Sequence, residues 1–497
     1  MSSRIQSPSL FVLALLASAV ACTPAPNPDI GRYEPIACPM AVPDGKDASC
    51  GLISVPERHE RPHGPVIKLA VAQFKSPNPQ AAPDPLVLNN GGPGDSNFEG
   101  FFPVLSSPLG DALLEQRDVV LVELRGLYYS QPNLVAEEVF EAQLDIVGKD
   151  MKGPEANEAL LDAMGRSAAR FVEEGIDLPA YNHVEMAADI DLVLTQLGYD
   201  QFNLFGTSAG TMVAQEVMRG YPERLRAVVL NAAVPNGAAL FQQMFVNAAS
   251  SLRRYFRMCE ADEACATAYP NIEGRFFDML AELNRSPLEL EVVSPVSGEE
   301  TTLVLNGDKV SSWVFVSMYW NTQIVRSLDR LTKGDFAQIQ NDPNIFFPMP
   351  RFAYALGYTT TLAANPGFAA AELEMPDRYR SFVDGLALFF SPRLMEATRE
   401  LWTDDRVPSA GPEPLVSDVP TLIMNGALDH VLPKELLSEF ASGLSQGHLF
   451  VFEGVAHSPV DVGECALTMM MAFLADPSGA PDSSCVAGYS HAFALPE

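Results

Sequence analysis

Positive charge is scarce in this chain. Lys and Arg number 32 against 63 Asp and Glu, a net charge of −31, which argues against nucleic acid as a partner because a phosphate backbone calls for a basic surface. An acidic surface favours solubility and names no substrate. Long apolar runs are missing too: the longest N-terminal stretch, Leu10 to Val20, is too short for a stable membrane-spanning helix. No CxxC pair and no Cys/His spacing marks a metal site, and no cofactor is implied. Internal repeats and long low-complexity segments are also absent. What remains is a chain of 497 residues, 47% hydrophobic, able to bury a substantial core as one large domain with an insertion or as two domains.

The N-terminus reads as an export signal covering residues 1–21. Arg4 supplies a lone positive charge, Leu10 to Val20 a short apolar core, and Ala19-Val20-Ala21 precedes Cys22. Ala-Val-Ala-Cys is an acceptable lipoprotein box, and residues 22–28, Cys-Thr-Pro-Ala-Pro-Asn-Pro, read as a tether. The tether favours acylation of Cys22 over ordinary cleavage after Ala21 with a free thiol. The expected location is therefore the cell envelope as a lipoprotein, or otherwise the periplasm or the medium. Six further cysteines, Cys38, Cys50, Cys259, Cys265, Cys465 and Cys485, permit fifteen connectivities. They fall into three sequence-local couples, each of which an oxidising compartment would let close.

Short apolar runs punctuated by Gly-rich loops set the architecture. Leu52 to Val55 and Val66 to Phe74 flank Arg-Pro-His-Gly-Pro and predict a hairpin. Pro85 to Leu88 runs into Asn90-Gly91-Gly92-Pro93-Gly94, and Val119 to Val122 into Glu123-Leu124-Arg125-Gly126. Met186, Ile190, Val193 and Leu197 have the spacing of an amphipathic helix. Strands alternating with helices imply a mostly parallel sheet covered on both faces, which binds ligands at its strands' C-terminal ends. From about 238 to 410 helical patterns dominate, as at Phe241 to Phe256 and Phe276 to Leu283. That stretch predicts a lid over the sheet edge, with Trp313, Tyr319, Trp320, Phe352 and Tyr354 as its core. Strand-loop units return at Thr421 to Met424 and Leu449 to Phe452, before a last helix near Cys465 to Leu474.

The chemistry centres on Gly206-Thr207-Ser208-Ala209-Gly210, which follows a strand-length apolar run and opens a helical pattern. Strand, sharp turn and helix with serine at the apex is the context that lifts a hydroxyl clear of a sheet edge. Serine is a poor nucleophile at neutral pH and needs a base, itself held by a carboxylate. Asp429 and His457 each follow a late strand, in the order the arrangement requires. His59, His63, His183 and His491 lie outside the late strand-loop units, His448 precedes its strand, and His430 only neighbours the acid. The oxyanion needs backbone N–H donors. Ala209 supplies one, and the Gly91-Gly92 loop the other, with Gly92 favoured.

These elements together resemble a known group. Asn90-Gly91-Gly92-Pro93-Gly94 is similar to the HGGPG element of the prolyl iminopeptidase and secreted tripeptidyl aminopeptidase group of α/β-hydrolases, and Glu123-Leu124-Arg125-Gly126 with Ser130 and Pro132 to its Asp-x-Arg-Gly…Ser-x-Pro stretch. Tyr221 to Pro235, the Cys259–Cys265 loop, Pro420 to Pro433 and Cys465 to Cys485 resemble further parts of it, the last two its TAP-like C-terminal region. The chain departs from the pattern with Asn90 for His, Glu123 for Asp and Ala209 for Tyr. The resemblance implies an α/β-hydrolase fold and an aminopeptidase that holds its substrate's free amine with acidic residues. Glu123, Asp95 and Glu99 are candidates for that task, and none is assigned.

The expected organisation is a hydrolase core over 29–237 and 411–497 interrupted by a helical lid over 238–410. The expected activity is an exported serine hydrolase cleaving amide bonds near peptide N-termini. A carboxylesterase on the same triad is the alternative, and an inactive lipid-anchored binding protein a third reading. Its partner is a peptide or small ester substrate, with membrane contact only through the anchor; the oligomeric state is left open.

Overall fold

The computed structural model describes residues 27–236, 240–364, 375–386, 394–398, 414–432 and 434–496. The predicted leader, Cys22 and both lid boundaries lie outside the described residues. Among the described residues there are eleven strands: β1 (Tyr33–Ile36), β2 (Asp47–Pro56), β3 (Val66–Lys75), β4 (Ala82–Asn89), β5 (Arg117–Val122), β6 (Phe202–Thr207), β7 (Leu225–Asn231), β8 (Leu288–Val293), β9 (Glu300–Leu305), β10 (Thr421–Gly426) and β11 (Gly447–Phe452). Nine of them form one sheet in the order β1-β2-β3-β5-β4-β6-β7-β10-β11. The first three strands and β5 pair antiparallel, and every pair from β5 onward is parallel. This is the α/β-hydrolase fold.

Alternation along the strands accounts for the two covered faces. Leu86 and Leu88, Val119 and Leu121, and Leu422 and Met424 pack under the helices Asn97–Leu105 and Glu464–Ala475. Val87, Val120, Val122, Leu204, Val228 and Ile423 point the other way. There they meet the helices Gly153–Glu173, His183–Gln196 and Gly210–Gly220. A strand with apolar residues at both parities has no solvent face, so these runs read as continuously hydrophobic.

Register then aligns the strand ends. Asn89 of β4 stands opposite Gly206 of β6, Thr207 opposite Asn231 of β7, Asn231 opposite Met424 of β10, and Gly426 opposite Phe452 of β11. Every loop that follows these strands therefore emerges along one edge of the sheet.

The insertion supplies most of a second hydrophobic cluster, with Phe245, Leu252, Phe256, Phe276, Val314, Ile324 and Phe382, which also takes in Met212, Leu428 and Leu432 from the loops and helix at the sheet edge. It is not wholly helical. Strands β8 and β9 form an antiparallel hairpin in a separate two-stranded sheet, because Leu288-Glu-Leu-Glu-Val alternates with period two rather than at helical spacing. Lys309 couples this region to the core. Its buried Nζ donates to the carbonyls of Ile146, Val147, Lys149 and Val304 at 2.7–2.9 Å, which ends the helix Glu137–Val147 and ties it to β9. Of the five aromatics expected in the lid core, Trp313 is buried there and Tyr319 packs against it, Phe352 and Tyr354 are buried instead in the cluster that covers the sheet, and Trp320 is 61% exposed.

The six described cysteines form Cys38–Cys50, Cys259–Cys265 and Cys465–Cys485. Three closed disulfides belong with an oxidising compartment. Among the described residues, no helix is long and apolar enough to cross a membrane, and no His/Cys/Asp/Glu group could hold a metal ion.

Candidate active site

Ser208 occupies the turn between β6 and the helix Gly210–Gly220 with φ +51°. A left-handed backbone is unfavourable for a residue bearing a side chain and persists only where the surroundings impose it. Here the Ser208 N–H is held by the Asn231 carbonyl at 2.9 Å, and the Ser208 carbonyl accepts from Thr211 N at 2.9 Å. The flanking glycines permit close approach. A Cβ on Gly210 would lie 2.3 Å from the Asn90 carbonyl oxygen, and one on Gly206 would lie 2.8 Å from that of Gly210.

The acid and base loops touch in the same way. A Cβ on Gly426 would lie 1.7 Å from the Ala456 carbonyl oxygen, so glycine at the end of β10 lets the two loops meet. Asp429 and His457 are 2% and 8% exposed. One Asp429 oxygen accepts the N–H groups of Val431 and Leu432 at 2.8 and 3.1 Å, and the other is 2.8 Å from His457 Nδ1. An ionised carboxylate only accepts, so Nδ1 carries the imidazole proton and Nε2 presents a lone pair. Nε2 lies 2.9 Å from Ser208 Oγ. The histidine can therefore take the serine proton while the buried carboxylate steadies the imidazolium that results.

Two residues hold this relay in place that the sequence reading did not assign to the site. Asn231 closes β7, and besides accepting from Ser208 its Nδ2 donates to Thr207 Oγ1 at 3.0 Å and to Ser458 Oγ at 2.6 Å. It binds the serine loop to the histidine loop. A polar residue ending an otherwise apolar strand was the available signal. Tyr319, in the insertion, accepts the His457 backbone N–H at 3.0 Å and sets its ring edge-on to the imidazole at 4.9 Å. No local pattern marks such a distant contact.

Among the described residues the N–H groups of Ala209 and Gly91 have no protein acceptor. Sequence favours Gly92 as the second donor, but it is Gly91 that abuts the serine. A Cβ there would lie 3.0 Å from Ser208 Cβ and 3.6 Å from Oγ, whereas Gly92, at φ +106°, turns toward Gly94 and Asp95. His430 is fully buried, edge-on to Tyr319 and Phe315, and burial pushes its pKa down to about 3. It stays neutral and has no hydrogen bond to the serine. His183, placed by sequence outside the catalytic units, nevertheless lines the cleft behind the Gly91 loop, and burial lowers its pKa to about 4.

The three candidate acids part company. Glu123 is completely buried and accepts from Phe98 N at 3.2 Å and Tyr129 N at 3.5 Å, and burial pushes its pKa up to about 7. It serves the start of the helix Asn97–Leu105. Glu99 pairs with Arg351 and accepts from the Tyr129 hydroxyl. Only Asp95 remains, on the cleft wall beside Asn90, Gly91 and Ala209.

Sheet order, a serine on a left-handed turn, and a histidine and aspartate on later loops give the α/β-hydrolase fold with a Ser-His-Asp constellation at its sheet edge. A family profile described as "alpha/beta hydrolase fold" matches residues 84–265. The chain is 29% identical over 204 residues to "Serine protease Hip1" of Mycobacterium tuberculosis strain H37Rv, covering 40% of this chain and 38% of that one. It is 26% identical over 195 residues to "Tripeptidyl aminopeptidase" of Streptomyces lividans, covering 38% of this chain and 36% of that one. The match thus spans well under half the length of these curated relatives. Among solved structures it is similar to proline iminopeptidase of Mycobacterium smegmatis, at 14% identity and a TM-score of 0.38, covering 86% of this chain and 98% of that one.

Proposed function

We propose that the chain is an exported serine hydrolase that cleaves amide bonds near peptide N-termini through an acyl-enzyme. The relay from Asp429 through His457 to Ser208, at 2.8 and 2.9 Å, carries this reading. Ser208 Oγ adds to the scissile carbonyl carbon as its proton passes to His457 Nε2. The N–H groups of Ala209 and Gly91 receive the oxyanion. His457 then returns the proton to the leaving amine as the C–N bond breaks, and water, deprotonated by the same histidine, releases the acid.

The peptide direction is supported by what the similar proteins are called, a serine protease and a tripeptidyl aminopeptidase. The proposed division is a core over 29–237 and 411–497 with a lid over 238–410. Acylation of Cys22 belongs to the same reading, and intact mass of the mature protein tests it directly.

The distinguishing experiment compares a short peptide amide with its N-acetylated counterpart and with a simple acyl ester. The free amine should be cleaved at least about a hundredfold faster than the acetylated peptide, because blocking the amine strands a buried carboxylate. Equal rates on the two amides with brisk ester turnover would replace this reading with a carboxylesterase.

A further inference from the structure

The glycine loop after β4 carries one of the two oxyanion donors on little support of its own. Gly91, Gly92 and Gly94 are the residue type with the most backbone freedom to lose on ordering. The ends of the loop are fixed. Asn89 pairs with Gly206, Asn90 N–H donates to Asn97 Oδ1 at 2.6 Å, and Ser96 caps the helix Asn97–Leu105. Between those ends, among the described residues, 91–95 take part in a single backbone hydrogen bond: the Gly94 carbonyl accepts Ala353 N–H at 3.0 Å. That donor belongs to the insertion.

The segment that delivers it is stiff. Pro348 and Pro350 fix their own φ angles, the Tyr354 hydroxyl accepts Met349 N–H at 3.0 Å, and Phe352 N–H donates to the Met349 carbonyl at 3.2 Å. The rings of Phe352 and Tyr354 are buried and meet edge-on at 4.9 Å. Phe352 and Ala353 thus form a firm corner, and it touches the loop so closely that only glycine fits. A Cβ on Gly94 would lie 2.9 Å from both Phe352 Cζ and the Ala353 carbonyl oxygen. In the helix Tyr354–Ala364, a Cβ on Gly357 would lie 2.8 Å from the Pro93 carbonyl oxygen. Arg351 pairs with Glu99 on the outer side of this contact, where solvent leaves such a pair little energy. The buried corner does the holding.

We infer that Phe352, together with the Ala353 N–H, is a positioning residue for oxyanion stabilisation, acting through Gly94 on the N–H of Gly91. A donor lowers the barrier only if it already points at the oxygen when charge develops there. A glycine loop left to itself would have to order in every turnover. The insertion therefore reaches both halves of the site, His457 through Tyr319 and the oxyanion loop through Phe352. The inference rests on the acyl-enzyme reading and holds for a peptide and for an ester alike.

The test uses whichever of the peptide amide and the acyl ester the wild type turns over. It measures kcat and KM, the Ki of an aldehyde with the same acyl portion, and the acid limb of the kcat/KM–pH profile in wild type, Phe352→Ala, Phe352→Leu and Gly357→Ala. Ser208 Oγ adds to the aldehyde carbon and the oxyanion formed takes the same two N–H groups, so Ki reports on them, whereas the acid limb reports on His457. Phe352→Ala should lower kcat about tenfold with KM within about twofold, and raise the aldehyde Ki by about the same tenfold, short of the loss of a whole donor. The acid limb should not move, and Phe352→Leu should recover part of both losses. Gly357→Ala suits a helix and pushes on the loop from the insertion side, so it should show the same paired loss. A fall in kcat without a matching rise in Ki, a shifted acid limb, or no loss in Phe352→Ala and Gly357→Ala overturns the inference and leaves the hydrolase standing. Should Phe352→Ala fail to melt cooperatively, the paired loss in Gly357→Ala supports the inference and its absence overturns it. A wild type that neither turns over substrate nor labels with a fluorophosphonate overturns the hydrolase reading and this inference with it.

Discussion

The C-terminal edge of the sheet and the insertion above it contribute to one site by different means. At the edge, geometry is set by backbone: strand register, a left-handed serine, and glycines whose missing side chains let Asn90, Ser208 and Ala456 approach. In the insertion it is set by side chains packed in a second hydrophobic cluster, against which Tyr319 packs as it meets His457. A constellation fixed by backbone tolerates little change, whereas a wall made of side chains can vary. The difference predicts that substitutions at the sheet edge cost more activity than substitutions in the insertion.

The comparison is broken most severely at the edge. Gly426→Ala would drive a methyl group into the Ala456 carbonyl and shift His457 from Asp429. Turnover should fall at least about a hundredfold, since displacements of about 1 Å cost that much. Steady-state kinetics beside a thermal melt measures this, and near-normal turnover would show that the loops yield more than the packing implies.

A milder effect is expected from the insertion. Tyr319→Ala removes the ring against His457 but leaves the carbonyl that accepts its N–H. An aromatic contact of about 1 kcal/mol translates to a kcat roughly tenfold lower or less. An effect as large as that of Gly426→Ala would place the insertion within the catalytic machinery.

The smallest effect concerns the cross-links. Cys259–Cys265 in the insertion closes a sequence separation of 6, and Cys465–Cys485 in the core one of 20. Loop entropy makes the shorter bridge worth less by about 1 kcal/mol. Replacing each pair with serine and comparing denaturation midpoints should rank them so; the reverse order would mean that the insertion depends on its bridge more than its chain length allows.

Legibility in the sequence follows the same division. The strands at the edge are short apolar runs ended by glycine, and β6, β10 and β11 lead directly into Ser208, Asp429 and His457, so local pattern was enough. Gly91 and Gly92 are the same residue type and differ only in backbone direction, which local sequence does not encode, so the sequence does not tell which of them lies against the serine. In the insertion, helical spacing was read across a region that holds the hairpin β8–β9. Tyr319 looked like core because its contact with His457 joins segments far apart in the chain, and no periodicity encodes that. Asp95 was one acid among three until Glu123 and Glu99 proved to be engaged elsewhere.

The central claim is that one serine, activated through His457, performs the chemistry. Treating the protein with a fluorophosphonate and mapping the adduct by peptide mass spectrometry tests it directly. A single phosphonylated site at Ser208 is predicted, absent from Ser208→Ala, whose turnover should be at least about a thousandfold lower with an unchanged melt. An adduct on another serine, or Ser208→Ala retaining activity, would contradict it.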